Sequence, residues 1–311
     1  MREIPAWFGL SAADAADARA VVLGCPLEGQ DAYRGGSSQG PAAIREWART
    51  AQAVREDGSP IEGLRVVDFG DVEVVAGQGD ATSAAASGEA RWRAIEGPAS
   101  RAWQSHPGAF LLGLGGDHGV TPPLAAAARA ARGELAFLLL DAHPDAFDAY
   151  DGDRLSHACV LSRLSDRCGY APEATCLVGV RSYALDELDP MRSLGLVVPA
   201  YRWAEWGSTK VADKILQATG GKALYLSLDI DVLDPAYAPG TGYPVAGGPS
   251  SRQLLDLLAA VWQRQPVVAM DLVEVAPAID PSGATASTAA HLCLQVLGHV
   301  ARRLPEHGAA I

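Results

Sequence analysis

The stretch Phe137-Leu-Leu-Leu-Asp-Ala-His-Pro-Asp145 decides the fold, because an apolar run ends there abruptly in polar residues. The apolar run, residues 135–140, predicts a strand that is buried on both faces. Because side chains alternate along a strand, Asp141, His143 and Asp145 should point the same way. Two carboxylates and an imidazole on one side of a strand end form half of a metal site. The alternative for this stretch alone is a strand end followed by a solvated acidic loop.

Other short apolar runs also predict strands, and stretches of helical character lie between them. With the first run included, the predicted strands lie at residues 20–24, 64–70, 110–116, 135–140, 176–180, 194–199, 223–231 and 266–274. The predicted helices begin at residue 42 and cover residues 80–105, 123–132, 210–218, 251–263 and 284–303. This alternation indicates a parallel sheet covered by helices on both faces. No linker-like change of composition interrupts it, so we expect a single domain over residues 1–311.

The composition argues against several classes of partner. The chain has 311 residues, of which 49% are hydrophobic, and a formal net charge of −12. Such an acidic chain is not expected to bind nucleic acid or an anionic membrane. Five cysteines without CxxC spacing predict reduced thiols. The first residues lack the apolar core of a signal peptide, and no apolar run approaches membrane-spanning length. We therefore expect a soluble, cytoplasmic protein.

Four of the predicted strands end in acidic or histidine side chains, and ligands bind beyond the carboxyl ends of parallel strands. These side chains are His118, Asp141, His143, Asp145, Asp229, Asp231, Asp271 and Glu274. So many carboxylates would repel one another unless cations neutralised them. Four Asp and two His suit a pair of divalent ions such as Mn²⁺ better than a thiolate zinc site. Taken singly, His118 could be a core histidine and Asp229 a turn cap.

The motifs around these residues resemble the ureohydrolase superfamily of arginases and agmatinases. They are Gly115-Gly-Asp-His118, Asp141-Ala-His-Pro-Asp145, Ser227-Leu-Asp-Ile-Asp-Val-Leu-Asp-Pro235 continuing into Ala238-Pro-Gly-Thr-Gly242, and Asp271-Leu-Val-Glu274. The segment from Tyr33 to Arg45 also resembles the Gly-rich loop and helix start of that superfamily. The resemblance runs from about residue 20 to about residue 300, in matching order.

The resemblance implies a three-layer α/β/α fold with a mostly parallel eight-stranded sheet, two Mn²⁺ ions per subunit and a homo-oligomer, a trimer or a hexamer. It implies that Asp141 and Asp229 bridge the two ions. It further implies that His118 and Asp145 complete one metal shell, and that His143 and Asp231 complete the other. By the same resemblance His157 is a proton shuttle on a loop, Glu274 holds the substrate guanidinium, and Asp271 orients these groups. These three are the predicted catalytic residues.

The predicted substrate is a small cationic guanidino compound, and agmatine is favoured, with urea and putrescine as products. The loop at residues 146–156 contains Asp148, Asp151 and Asp153 but no Asn, which suits a distal ammonium and repels a carboxylate. A solvated acidic loop is the alternative, and Arg154 could turn inward to accept a carboxylate. Tyr243 stands where the superfamily usually has a Thr close to the substrate, so the resemblance implies that Tyr243 lies near the substrate and leaves the shape of the pocket open.

Several other functions stay open at this stage. Gly119 and Ala158 also depart from the usual residues of the superfamily, although neither change removes a ligand. Guanidino acids, arginine and formimidoyl-glutamate are alternative substrates for the same site. A homologue that binds ligand without activity is a less favoured reading, because all six predicted ligands are present.

Overall fold

The computed structural model describes residues 7–10, 17–29, 33–73 and 84–302, without the side chains of residues 84–87. The predicted beginning of the second helix at residues 80–83 and the last residue of the predicted final helix lie outside the described residues. Within the described part of the chain, no helix is both long and apolar enough to cross a membrane.

Eight strands form one sheet in the order β2-β1-β3-β8-β7-β4-β5-β6, and every neighbouring pair is parallel. The strands are β1 (Ala20–Cys25), β2 (Val66–Asp71), β3 (Phe110–Gly115), β4 (Ala136–Leu140), β5 (Thr175–Val178), β6 (Leu196–Val198), β7 (Leu224–Asp229) and β8 (Val267–Val273). This confirms the predicted eight-stranded sheet. The four strands with polar ends, β3, β8, β7 and β4, are adjacent at its centre.

The helices cover both faces of the sheet, as the alternation of strands and helices predicted. They are α1 (Gly40–Trp47), α2 (Ala84–Ser105), α3 (Thr121–Arg132), α4 (Val160–Asp166), α5 (Leu188–Met191), α6 (Ala200–Thr219), α7 (Ser251–Arg264) and α8 (Ala284–Arg302). Alternate residues of β4 enter two different cores. Leu138 packs in a core with α1, α6, α7 and α8, whereas Leu139 packs in a core with α2, α3 and α4. Burial on both faces explains the uninterrupted apolar sequence of this strand.

The prediction of a helix over residues 210–218 was wrong at its start, because α6 begins at Ala200. The residue Gly207 interrupts the helical backbone with φ 74° and ψ 156°, so the element consists of two helical pieces. The first piece is anchored by the buried ring of Trp203, whose Nε1 donates to Ser208 Oγ at 3.1 Å. In the sequence, Gly207 separates this aromatic piece from the more regular helical pattern that follows, and only the second piece was predicted. The short helices α4 and α5 were also not predicted.

A buried arginine ties α1 to the carboxyl end of β2. Arg45 donates from Nε and Nη2 to the two carboxylate oxygens of Asp68, at 2.7 and 2.9 Å. It also forms an ion pair with Asp71, and Trp7 Nε1 donates to Asp68 at 2.7 Å. The Asp68 side chain is only 2% exposed, so its charge depends on this pairing. These contacts fix the position of α1, the helix that follows the Gly-rich loop.

Candidate metal centre and active site

Three carboxylates surround one histidine at the carboxyl ends of the central strands. The Nδ1 atom of His118 lies 3.1 Å from Asp141 Oδ2, 3.0 Å from Asp145 Oδ2 and 3.3 Å from Asp229 Oδ2. All four residues are buried. His118 begins a short 3-10 turn three residues after the end of β3, whereas Asp141 directly follows β4 and Asp229 ends β7. Side chains that are distant in sequence therefore converge on one point.

A second group shares Asp141 with the first. The Nδ1 atom of His143 lies 2.9 Å from Asp231 Oδ2 and 3.7 Å from Asp141 Oδ1. The two oxygens of Asp141 therefore face different histidines, which is the arrangement of a bridging ligand. Asp229 directs Oδ2 to the first group, and its Oδ1 accepts the backbone N–H of Asp231 at 2.8 Å.

The ligand loops do not continue their strands, so simple alternation does not explain how the ligands converge. β4 ends at Leu140, and Asp145 has a left-handed backbone with φ 49°. β7 ends at Asp229, and Asp231 lies in the 3-10 turn Ile230–Val232 rather than in the predicted strand. A left-handed backbone is uncommon for a residue other than glycine and is often found at functional sites. The turns, rather than extended backbone, bring these carboxylates inward.

The two groups suit divalent cations. Within the described residues, His118 Nδ1 and Asp141 Oδ2 are buried and lie 3.1 Å apart, but neither makes a hydrogen bond of proper geometry. Burial raises the pKa of Asp229 well above its usual range, and repulsion from Asp231 and Asp141 adds to this. Burial would lower the pKa of His118, but its carboxylate neighbours outweigh burial and raise it. Carboxylate oxygens and imidazole nitrogens are ligands of borderline-to-hard divalent ions, which would neutralise this charge.

A chain of hydrogen bonds orients His118. Its Nε2 lies 2.9 Å from Ser227 Oγ, and Ser227 donates to Asp271 Oδ1 at 2.6 Å. Tyr225 donates to the other oxygen of Asp271, also at 2.6 Å, and Thr121 Oγ1 lies 3.2 Å from Ser227 Oγ. Because the hydroxyl proton of Ser227 goes to Asp271, its oxygen accepts from His118 Nε2–H. Asp271 thus acts on His118 through a serine that the sequence analysis did not single out.

A buried glutamate holds the Asp145 turn from the far side. Glu187 accepts the backbone N–H of Ala146 at 3.1 Å with one oxygen and that of Ala184 at 2.9 Å with the other. Leu161 N–H donates to Asp145 O at 2.9 Å and completes the attachment of the turn. Glu187 is 4% exposed. The role of Glu187 was not predicted from the sequence, because only the folded chain shows which backbone groups this side chain contacts.

Glu274 lies beside the first ligand group. Its Oε1 accepts the backbone N–H of His118 at 2.8 Å, and its own N–H donates to Gly116 O at 2.8 Å. Glu274 has a left-handed backbone, with φ 65°. Burial raises the pKa of Glu274 to about 8, and the nearby Asp117 carboxylate contributes. The carboxylate predicted to hold the substrate is thus anchored to the backbone of a predicted metal ligand.

His157 and Tyr243 lie together. Their ring centroids are 6.0 Å apart with an interplanar angle of 30°, and the Tyr243 ring is 6.2 Å from that of His143. Tyr150 approaches His157 at 5.9 Å. The predicted shuttle histidine is therefore placed, through Tyr243, next to the second ligand group.

Two of the three predicted loop carboxylates are paired with arginines. Asp148 contacts Arg163 and Arg154, both at 2.9 Å, and Asp153 contacts Arg91 at 2.8 Å. Arg154 also contacts Asp166 at 2.9 Å, so its guanidinium is held by two carboxylates. Asp151 is exposed at a turn with φ 47°. The structure therefore brings the six predicted ligands, Glu274, His157 and Tyr243 together, but gives Asp148 and Asp153 other partners.

Comparisons with known proteins show which family this sequence and fold resemble. The model of the arginase family matches residues 18–298. The solved structure of proclavaminate amidino hydrolase from Streptomyces clavuligerus has a TM-score of 0.86 and 32% identity, covering 96% of this chain and 98% of that chain. Agmatinase from Bacillus anthracis is 33% identical over 287 residues, covering 90% of this chain and 91% of its own. The mitochondrial guanidino acid hydrolase of Homo sapiens is 34% identical over 289 residues, covering 89% and 77%.

These matches confirm the resemblance found in the sequence and the expectation of a hydrolase that acts on linear amidines. The match to the family model spans all eight strands and every residue of the two candidate ligand groups. The chain belongs to the arginase family.

Proposed function

We propose that this chain hydrolyses agmatine to urea and putrescine with two Mn²⁺ ions per subunit. The observation that carries the proposal is the pair of ligand groups that share Asp141, with the Glu274 carboxylate beside them. Enzymes of the arginase family depend on a binuclear metal site, and the His and Asp groups of this chain could hold one. The choice of Mn²⁺ rests on the ligand types, which are oxygen-rich with one imidazole for each ion.

The proposed ligands divide into two shells. His118, Asp145, Asp229 and Asp141 would hold one ion, and His143, Asp231 and Asp141 the other, with Asp229 as a second bridge. When bound, two divalent ions lower the pKa of a water that they share and so supply a nucleophile near neutral pH. Ser227 and Asp271 keep the Nδ1 of His118 available as a ligand, because they occupy its Nε2–H.

Glu274 and His157 have separate roles in this proposal. A guanidinium is a poor electrophile because resonance spreads its charge, so it must be held close to the nucleophile. Glu274 would hold it by charge-assisted hydrogen bonds. His157 would give a proton to the amine nitrogen as the C–N bond breaks, so that the amine leaves in neutral form. In the net reaction, water adds to the guanidino carbon, the C–N bond to the amine breaks, and the products are urea and the amine.

Charge favours a substrate with a second cationic group. Four ligand carboxylates would balance two divalent ions, and the Asp117 carboxylate near Glu274 then adds negative charge to the site. Arg154 is held by Asp148 of its own loop and by Asp166 at the end of α4, so it is not offered to a substrate carboxylate. Asp151 is next to Tyr150, whose ring contacts His157. We therefore assign the distal ammonium of the substrate to Asp151 rather than to Asp148 or Asp153. The agmatinase relative supports this choice.

A guanidino acid is the second candidate substrate, because the human guanidino acid hydrolase is equally similar in sequence. The test measures urea and formamide released by the Mn²⁺-loaded protein from agmatine, L-arginine, 4-guanidinobutyrate and formimidoyl-glutamate. We expect agmatine to have a kcat/KM at least tenfold above the others, about 1.4 kcal/mol of transition-state binding. A tenfold preference for 4-guanidinobutyrate would instead establish a guanidino acid hydrolase. Release of formamide alone, or of neither product, would refute urea chemistry.

Asp151 has a direct test with a matched control. Asp151→Asn should raise the KM for agmatine and leave the KM for 4-guanidinobutyrate unchanged or lower. Asp186→Asn, at another exposed carboxylate, should change neither. Equal effects of the two variants would remove Asp151 from the substrate site.

We also propose that the protein is cytoplasmic and forms a trimer or a hexamer. All five cysteines are free and buried, which suits a reducing compartment. The resemblance to arginases and agmatinases is the only support for the oligomer. Sedimentation at micromolar concentration that returned only a monomer would refute it.

A further inference from the structure

Tyr243 contacts three parts of the site at once. Its ring stacks on His157 at 6.0 Å and approaches the edge of the proposed ligand His143 at 6.2 Å. Its hydroxyl oxygen accepts the backbone N–H of Tyr33 at 2.9 Å, and the two tyrosine rings are 5.9 Å apart. Tyr33 belongs to the Gly-rich loop that precedes α1. One side chain therefore joins this loop to the metal centre and to the proposed proton donor.

A second tyrosine contacts the imidazole of His157. Tyr150 lies 5.9 Å from the His157 ring with an interplanar angle of 55°. Its backbone exchanges two hydrogen bonds with Asp153, at 3.0 and 2.9 Å, which fix the turn that carries it. His157 is thus contacted by aromatic rings from two separate loops. Such contacts restrict the rotation of an imidazole without using its nitrogens.

We propose that Tyr243 is a positioning residue that sets the orientation of the His157 ring for proton transfer, and that the hydrogen bond from Tyr33 fixes Tyr243 in turn. This inference rests on the proposed function, in which His157 donates to the departing amine. A proton donor is effective only when its nitrogen is within hydrogen-bonding reach of the reacting atom. A ring that could rotate freely on its loop would spend less time in that position.

The expected effects follow from the contacts that each variant keeps. Tyr243→Leu removes the stacking ring and the hydroxyl, and kcat should fall about 10- to 100-fold, because misplacement by about 1 Å can cost 100-fold. KM should stay within threefold, since the groups that bind the guanidinium are intact. Tyr243→Phe keeps the ring and loses only the hydroxyl, so its kcat should fall less than that of Tyr243→Leu.

The experiment combines steady-state kinetics with NMR of the histidine rings in the full-length, Mg²⁺-loaded protein, in which Mg²⁺ replaces the paramagnetic Mn²⁺. The chain has seven histidines, so the spectrum of a His157→Gln variant assigns His157 by difference. Tyr243→Leu should move the His157 ring signals and leave those of His106, which packs on Phe69, in place. Tyr201→Leu, at a tyrosine that is 60% exposed on α6, is the matched control and should change neither kcat nor these signals.

Each outcome decides the proposal. A raised KM with unchanged kcat in Tyr243→Leu would make Tyr243 a wall of the substrate pocket and overturn its role toward His157. Unmoved His157 signals would also overturn it. If Tyr243→Leu does not fold, Tyr243→Phe tests the hydrogen bond from Tyr33 with the same two readouts, and an unchanged kcat with unmoved His157 signals would then overturn the proposal. If the native enzyme releases no urea, the proposed function fails, while the NMR comparison still decides whether Tyr243 orients His157.

Discussion

Replacing Ser227 by alanine isolates the hydrogen bonds that orient His118. The hydroxyl of Ser227 lies between His118 Nε2 and Asp271 Oδ1, at 2.9 and 2.6 Å, and both partners are fully buried. Ser227→Ala leaves each of these groups without this partner. Leaving one buried polar group unsatisfied costs about 1–3 kcal/mol, so the two together should cost about 2–6 kcal/mol.

The same variant should also weaken metal binding. With no acceptor at Nε2, the imidazole loses the constraint that keeps the lone pair of Nδ1 directed toward the metal. Loss of such a partner typically costs 10- to 100-fold in metal affinity, or about 1.4–2.7 kcal/mol. Calorimetric titration of the apo protein with Mn²⁺ measures the affinity, and chemical denaturation of the apo protein measures the free energy of unfolding.

Tyr225→Phe is the matched control, because Tyr225 donates to the other oxygen of Asp271, whereas the hydrogen bond of His118 Nε2 is with Ser227. It should lower the free energy of unfolding by about 1–3 kcal/mol and leave the Mn²⁺ affinity within about threefold. If Ser227→Ala bound Mn²⁺ as tightly as the native protein, the argument that Ser227 orients His118 would be refuted. Equal losses of affinity in both variants would show that Asp271 acts without the serine.

Four further predictions concern other parts of the structure. Asp141→Asn should lower urea production by at least about 100-fold with the fold intact, and full activity in metal-limited buffer would exclude Asp141 as a ligand. Glu187→Ala should weaken Mn²⁺ binding about tenfold by calorimetry, whereas Asp186→Ala should not. Equal effects of the two variants would show that Glu187 does not support the turn at Asp145. Arg45→Met should cost about 3 kcal/mol in denaturant, because it removes the paired charge of Asp68, and a loss below about 1 kcal/mol would contradict this. Thiol labelling at pH 8 should reach none of the five cysteines before unfolding, because burial raises the pKa of every thiol. The pKa rises to about 12 for Cys159, Cys168, Cys176 and Cys293, and further for Cys25. Rapid labelling would show that the thiols are accessible.

Local patterns in the sequence were enough to predict the sheet and the edge of it at which the candidate metal centre lies. The apolar run before Asp141 marked a doubly buried strand, and the polar residues after four such runs marked the carboxyl edge. The route of the chain beyond the strand ends was not predictable in this way. Asp145 and Asp231 reach their positions through a left-handed residue and a 3-10 turn, which alternation does not describe.

Side-chain partners from distant segments were also beyond sequence reasoning. Ser227 and Glu187 are ordinary residues until the fold places His118 Nε2 and the Ala146 N–H beside them. Asp148 and Asp153 formed part of an acidic loop in the sequence, but Arg163 and Arg91 neutralise them in the structure. The charge of a loop depends on which arginines reach it, and those arginines are on other elements.

The position of β8 has a consequence for how the protein is made. This strand is the last of the eight in the chain, yet it lies between β3 and β7 at the centre of the sheet. During synthesis, the segment with His118 and the segments with Asp141 and Asp229 have no strand to join them until residue 273 has emerged from the ribosome. Pairings between such distant segments form late in folding, because a long loop must close first. Metal loading should therefore be a post-translational event, and a nascent chain that stalls before β8 should carry the ligands but no assembled site.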